Sequence, residues 1–284
     1  MMRALAEFIM RGRWQAATVA LLGSWFLALA PAAVALVALR RGVLDGFIVM
    51  LWAMLPPLAG FWLNTASDVA VYLVTAVLVT TLISALVLKI SVSWSQALVV
   101  LAVSAAILSG LAVVMAEDSG SDLIQALLAP LTAEQVEELL PGVHSWSAMT
   151  ITGWFAYLVA SSGLISVLFG RWLQALLYNP GGLQQEMHNL RLPVAVALSS
   201  AVIVAWSLSS GTGSEHWAKV AGLPLVVAGI GLVHWVVKLY GLGLLALIVF
   251  YVALVRLESV FFLVATLALV DAMANLRIRF KLSQ

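Results

Sequence analysis

The chain has 284 residues, of which 63% are hydrophobic and only 10% charged, with a net charge of +1 and no cysteine. Soluble domains run near 45–50% apolar and about 25% charged, so a water-soluble globule is excluded: it would have no interior large enough for the surplus. The net charge says nothing about nucleic acid, but no basic tract or aromatic-interleaved patch of the kind that neutralises phosphates is present, and the missing cysteines exclude disulfides, thiolate metal sites and a cysteine nucleophile.

Apolar runs of about 18 residues read instead as transmembrane helices. Ten segments are drawn: 14–28, 30–39, 46–63, 68–88, 94–115, 147–169, 193–210, 219–237, 241–255 and 259–276. The fold predicted is an all-α polytopic bundle of about eight to ten membrane segments, one integral membrane domain over 1–284.

At the N-terminus, Arg3, Arg11 and Arg13, an apolar run from Ala16 and small residues near Ala28-Leu29-Ala30 imitate a secretory signal. Further apolar spans follow at once, so a retained first helix is expected. Pro31 divides 14–39. As one helix this stretch would place Arg40 and Arg41 outside; broken at the proline, it returns them to the cytoplasm. The second half then reaches about 15 Å, half of a hydrocarbon core of about 30 Å. That implies a re-entrant or strongly tilted element, enclosed by protein or water. Gly12, Ala16, Ala20, Ser24, Ala28 and Ala32 recur every four residues, a spacing of small side chains that lets helices approach closely. It suits packing within the chain, or docking of another subunit on Ala16 and Ala20.

Pro56-Pro57 interrupts 46–63, with Trp52, Phe61, Trp62 and Asn64 close by. Prolines in membrane helices free carbonyls that need new partners, and transporters often set broken helices beside substrate. Trp52, Trp62 and Asn64, with Trp154 from 147–169, are therefore candidate ligand-binding residues. An extracytoplasmic amphipathic hairpin is expected at 117–145: Ser121 and Asp122 suit a first cap, Pro130 a stop, and Thr132 with Gln135 a capping box closed by Pro141-Gly142. Val136, Leu139 and Leu140 share one face and Glu134, Glu137 and Glu138 the other, so the hairpin lies on the membrane surface or over the bundle mouth.

Gly170 to Pro193 is the longest cytoplasm-facing polar stretch, read as a loop at 171–192. Arg171 and Trp172 form an interfacial anchor, Leu173 to Tyr178 suit a surface helix, and Asn179-Pro180-Gly181-Gly182 is a turn. No lysine-serine or lysine-threonine pair follows the glycines, so there is no phosphate-cradling loop. Glu186 and His188 are two apart, a poor spacing for metal ligands on a helix. Arg171, Trp172, Tyr178, Asn179, Gly181, Gly182 and Arg191 are candidate partner-docking residues. Further on, the polar groups inside the membrane are His234, Asp271 and Asn275. Such groups are costly and face a partner or a wet cavity, which makes His234 a candidate partner for Asp271.

With a break at Pro31, every lysine and arginine except Lys219 and Arg256 falls on the cytoplasmic side, and seven acids from Glu117 to Glu215 fall outside. This positive-inside bias puts both termini in the cytoplasm, as expected for a multi-pass bacterial inner-membrane protein.

Leu39-Arg40-Arg41-Gly42, the stretch from Gly170-Arg171-Trp172 through Tyr178-Asn179-Pro180-Gly181-Gly182 to Leu190-Arg191-Leu192-Pro193, and Leu269-Val270-Asp271-Ala272 leading to Leu276-Arg277 together resemble the YybS-like family of uncharacterised bacterial membrane proteins. That family supplies no catalytic residue. Its members look distantly similar to the substrate-capturing subunits of energy-coupling-factor vitamin transporters. The resemblance implies a first helix that docks a coupling subunit through alanines such as Ala16 and Ala20, and outer loops that close over substrate. The expected function is a small-molecule-binding subunit of a transport system without its own ATPase, its pocket outward-facing and lined by Trp52, Trp62 and Trp154. The alternative is a scaffold acting through 171–192. Beyond the lipid bilayer, the partners expected are other transport or cytoplasmic subunits. No nucleic acid, cofactor, metal or enzymatic activity is expected.

Overall fold

The computed structural model describes residues 1–24, 28–115, 124, 128, 132–140, 142–211 and 213–282. In chain order its α-helices are α1 (Met2–Arg11), α2 (Arg13–Gly23), α3 (Leu29–Arg41), α4 (Val43–Trp62), α5 (Asp68–Ser91), α6 (Trp94–Met115), α7 (Ala133–Leu139), α8 (Ala148–Tyr178), α9 (Gly182–Asn189), α10 (Val194–Ser209), α11 (Glu215–Tyr240), α12 (Gly243–Arg256), α13 (Glu258–Ala274) and α14 (Leu276–Leu282). The protein is an all-α polytopic bundle, and each of the ten apolar segments is mainly helical over its described residues. They are not equal as spans. Five helices, α4, α5, α6, α8 and α11, are each long and apolar enough to cross a membrane; counting the bent pairs α9–α10 and α12–α13 as one span each raises the number to seven.

The expected break in 14–39 is present, but α3 starts at Leu29, ahead of Pro31. Proline belongs in a first turn, where its missing N–H has no intrahelical acceptor to lose. The C-terminal end of α3 returns beside the start of α2, where Arg41 Nη2 donates to the Met10 carbonyl at 2.6 Å. Every residue of α3 from Ala30 to Leu39 is buried, because α2, α4, α5 and α8 surround it. The short helix is thus the axis of the bundle and meets the condition expected of it, enclosure by protein.

Small residues make this possible. At the α3–α8 crossing, a Cβ on Gly170 would stand 2.6 Å from Ala35 Cβ and 2.9 Å from the Ala32 carbonyl oxygen. Ala16 and Ala20 have no exposed surface, and α2 packs on α3 and α4. The four-residue repeat therefore serves packing within the chain, and the pair offers no face to another subunit.

The second proline of the pair in α4 also has a local account. Pro57 cannot donate to the Ala53 carbonyl one turn back, and Ser24 Oγ stands 3.1 Å from that oxygen, sharing its proton with the Ala20 carbonyl at 2.9 Å. The freed carbonyl is satisfied from a neighbouring helix, as prolines in membrane helices require.

Of the 117–145 hairpin, 117–123, 125–127, 129–131 and 141 lie outside the described residues, including Ser121, Asp122, Pro130 and Pro141. The capping box is present, with Thr132 Oγ1 accepting from Gln135 N and Gln135 Oε1 from Thr132 N. Ile124, Leu128, Val136 and Val143 pack on Val69, Ile151 and Phe155, so these parts cover one end of the bundle.

Charge sorts to the opposite end. Arg13 pairs with Asp45 at 2.7 Å, Lys89 Nζ donates to the Arg40 carbonyl at 3.2 Å, and the Arg40 guanidinium lies 4.3 Å from the centre of the Tyr178 ring. Arg171 and Arg191 hold α9 and the end of α13 on the same side, so α1 and α14 share one end. Lys219, paired with Glu258 at 2.7 Å, marks the other. The grouping is the one the charge bias demands.

Candidate functional site

The polar stretch 171–192 is not a loop. At 1.5 Å per residue the 31 residues of α8 run about 46 Å, well beyond a hydrocarbon core of about 30 Å, and carry Arg171 to Tyr178 out as helix. The Asn179-Pro180-Gly181-Gly182 turn then reverses the chain, with Gly181 at φ +83°, a left-handed conformation glycine adopts without strain. α9 folds back across the end of the bundle and meets α10 at a 73° bend.

Three attachments hold α9 down. The Glu186 carboxylate accepts from Trp94 Nε1 at 2.9 Å and from Arg171 Nε at 3.1 Å, and Arg171 Nη2 closes the second half of a bidentate pair. Gly231 lets α11 run against the Met187 carbonyl, with no room for a Cβ between them. Arg191, just past the helix, donates to the Asp271 and Ala272 carbonyls at 3.0 and 2.6 Å, joining the Asn275 N–H on the first and capping the second at the end of α13.

Beneath α9 lies a groove of about 1120 Å³. Leu168, Phe169 and Trp172 of α8 form one wall, Val227 and Ile230 of α11 the back, Leu183 and Met187 of α9 the cover. Its outer wall is Tyr251 and Leu254 of α12, a helix with no buried residue. Ile165, Trp172 and Tyr251 remain exposed, so the groove opens sideways on the flank that a bilayer covers. Polar groups gather at one end, where His234 Nε2 and Tyr251 Oη are 2.8 Å apart and His188 and Gln184 close the rim. A second cavity, of about 440 Å³, continues outward from His188 among Gln185, Asn189, Trp235 and Lys238.

The aromatic residues singled out in the sequence do not converge. Trp52 packs edge-on against Trp14 at 5.9 Å. Trp62 is 81% exposed, and Asn64 sits beyond the end of α4 with φ +55°. Trp154 packs on Trp146 and Phe155 at the far end of the bundle. Among the described residues they share none of these cavities, and the 1120 Å³ groove lies at the opposite end from the 117–145 cover. The polar set is also re-paired. Asp271, 2% exposed, accepts from Leu276 N at 3.0 Å and stands 3.4 Å from Arg277, while His234 turns to Tyr251. Asn275, at φ +50°, serves as the left-handed residue that ends α13. Asp271 and His234 thus form no acid–base couple.

Of the candidate docking residues, Arg171 and Arg191 are engaged inside the fold, Gly181 and Asn179 form the turn, and a Cβ on Gly182 would collide with Asn179. Tyr178 is left exposed beneath Arg40, and Trp172 belongs to the groove. The groove's other members, His188 among them, carry no spacing signal. The sole pointer was that one polar stretch held His188 and Glu186 beside an otherwise apolar helix. Compared with known protein families, curated proteins and solved structures, the chain matches none.

Proposed function

We propose that the protein is a ligand-binding membrane protein, the binding component of a transport system without an ATPase of its own, and that its ligand is an amphiphile that enters the α8–α9–α11–α12 groove from the bilayer. The observation that carries this reading is the groove itself: about 1120 Å³, apolar on four sides, polar at one end and open on the flank. Cavities of roughly 300–1,000 Å³ with apolar walls and a few placed polar groups are the usual form of a small-molecule site. This one exceeds that range, as a chain-bearing ligand requires. The resemblance to the YybS-like family, and through it to substrate-capturing subunits, supports the same class. The scaffold reading is weaker, because the polar side chains it relied on are spent on holding α9. A bacterial inner membrane fits the charge bias and belongs to the same proposal.

The test is retention. Wild-type protein purified in mild detergent should carry an amphiphile through extensive washing, visible as an adduct by native mass spectrometry. Leu168→Trp, which fills the groove, should abolish the adduct while the helical circular-dichroism signal and gel-filtration profile stay unchanged. A bare wild type, or equal adducts in both proteins, would refute the proposal.

A further inference from the structure

The amphiphile reading leaves the headgroup undefined, and the surroundings of His188 define it. His188, 8% exposed, sits where the apolar groove passes into the outer cavity. The charges that reach it are those of Lys238, His234 and Arg277, with no carboxylate among them. Lys238 lines the outer cavity and has no ion-pair partner among the described residues.

Arg277 is the more telling residue. It is 8% exposed, yet Nε, Nη1 and Nη2 all lack a hydrogen-bond acceptor among the described residues. Among the described residues its one ionic neighbour is Asp271, whose Oδ2 stands 3.4 Å from Nε while Oδ1 takes the Leu276 N–H; Arg191 binds the backbone carbonyl of the same residue. Burial pushes the Arg277 pKa down, and the carboxylate offsets this only in part. A buried guanidinium whose Nη1 and Nη2 have no acceptor among the described residues keeps an incompletely compensated charge near His188; it lines neither cavity, so it acts on an anion at the rim through its field alone. Glu186 does not serve, because Arg171 neutralises it. The rim of the groove is therefore a net-positive pocket continuous with an apolar channel, between helices at the end where the cations of the chain collect. Basic pockets of this kind between membrane helices suit anionic lipid headgroups.

Resting on the groove as the ligand site, we propose that the occupant is an anionic phospholipid, its acyl chain along α8 and α11 and its phosphate at the His188–Lys238 rim within the field of Arg277. Phosphate is the chemistry these donors recognise, and the adjoining groove selects the lipid-borne form over the free ion. Asn189 and Gln185 supply neutral donors to the remaining oxygens.

The experiment uses the full-length protein, stripped of lipid in detergent and titrated with phosphatidylglycerol, phosphatidylcholine or inorganic phosphate, read by thermal shift and native mass spectrometry. Phosphatidylglycerol should bind more tightly than phosphatidylcholine by about five-fold for each cation that engages it. Lys238→Glu, at an exposed position, should weaken phosphatidylglycerol binding far more than phosphatidylcholine binding and so erase the preference. Leu168→Trp should remove both lipids. Equal binding of the two lipids with no effect of Lys238→Glu overturns the headgroup assignment and leaves the groove standing. Binding of neither lipid overturns both. Protection by inorganic phosphate alone, at concentrations where the lipid gives none, shows an anion site without a lipid and overturns the proposal.

Discussion

Glu186 shows how one side chain determines what a whole segment does. Its carboxylate takes three donors from two helices, Arg171 of α8 and Trp94 of α6, and pins α9 across the groove. Both members of the ion pair are mostly covered, so replacing the carboxylate leaves a guanidinium short of its bidentate partner. Breaking a fully buried pair costs about 3–5 kcal/mol; with part of the pair in contact with solvent, about 2 kcal/mol is expected. Glu186→Gln should therefore lower the detergent melting temperature clearly, whereas Glu134→Gln, at an exposed site on α7, should leave it unchanged. Similar shifts in the two variants would show that the carboxylate does not hold α9. The same residue explains a limit of sequence reading. Two apart from His188, Glu186 was weighed as a metal ligand and set aside. The aromatic N–H and the arginine that it binds come from positions 92 and 15 residues away, which no local spacing reveals.

At the scale of elements, the helices themselves are readable because each apolar run is bounded by charge, proline or glycine. Their arrangement is not. In water, a helix displays its buried face as an apolar stripe; in lipid both faces are apolar, and periodicity cannot separate core from lipid contact. So α3, buried on all sides, and α12, buried nowhere, look alike in sequence. The groove walls suffer the same fate, since Leu168 and Ile230 read as any lipid-facing residue would. The end of α8 is hidden in the sequence for a related reason: polar residues after Gly170 mark the edge of the membrane and not the end of the helix. Where elements touch through glycine, a sharper statement is available. Gly231→Ala places a Cβ against the Met187 carbonyl, which is backbone and cannot swing away. Overpacking of this kind typically costs about 1–3 kcal/mol. The expected result is faster amide exchange in α9 with α5 and α6 unchanged, because only the α9–α11 contact is strained. Unaltered exchange in α9 would mean that the cover over the groove does not depend on that crossing.

For the molecule as a whole, the unsettled relation is between the α12–α13 pair and the membrane. The two helices bend by 114° at Leu257. α12, with 14 residues, reaches about 21 Å, short of a hydrocarbon core of about 30 Å. Length alone would allow a re-entrant pair that never reaches the far face. The ion pair argues otherwise: Glu258, next to the bend, holds Lys219 at the start of α11, and that end also carries Trp217 against the Met149 carbonyl and the α7 region. Local thinning of the bilayer, together with the charged Arg256 and Glu258 snorkelling to the interface, closes the remaining distance. The absence of native cysteine makes the test clean. In intact cells, Ser145→Cys and Leu257→Cys should both react with a membrane-impermeant maleimide, and Tyr178→Cys only after the membrane is opened. If Leu257→Cys follows Tyr178→Cys instead, the bend lies at the charged end and the outer wall of the groove is inverted. If it reacts in neither state while Ser145→Cys does, the pair is re-entrant and the groove opens into the depth of the bilayer. The ion pair to Lys219 predicts the first pattern, in which α12 is a lipid-facing wall free to move aside and admit a chain-bearing ligand.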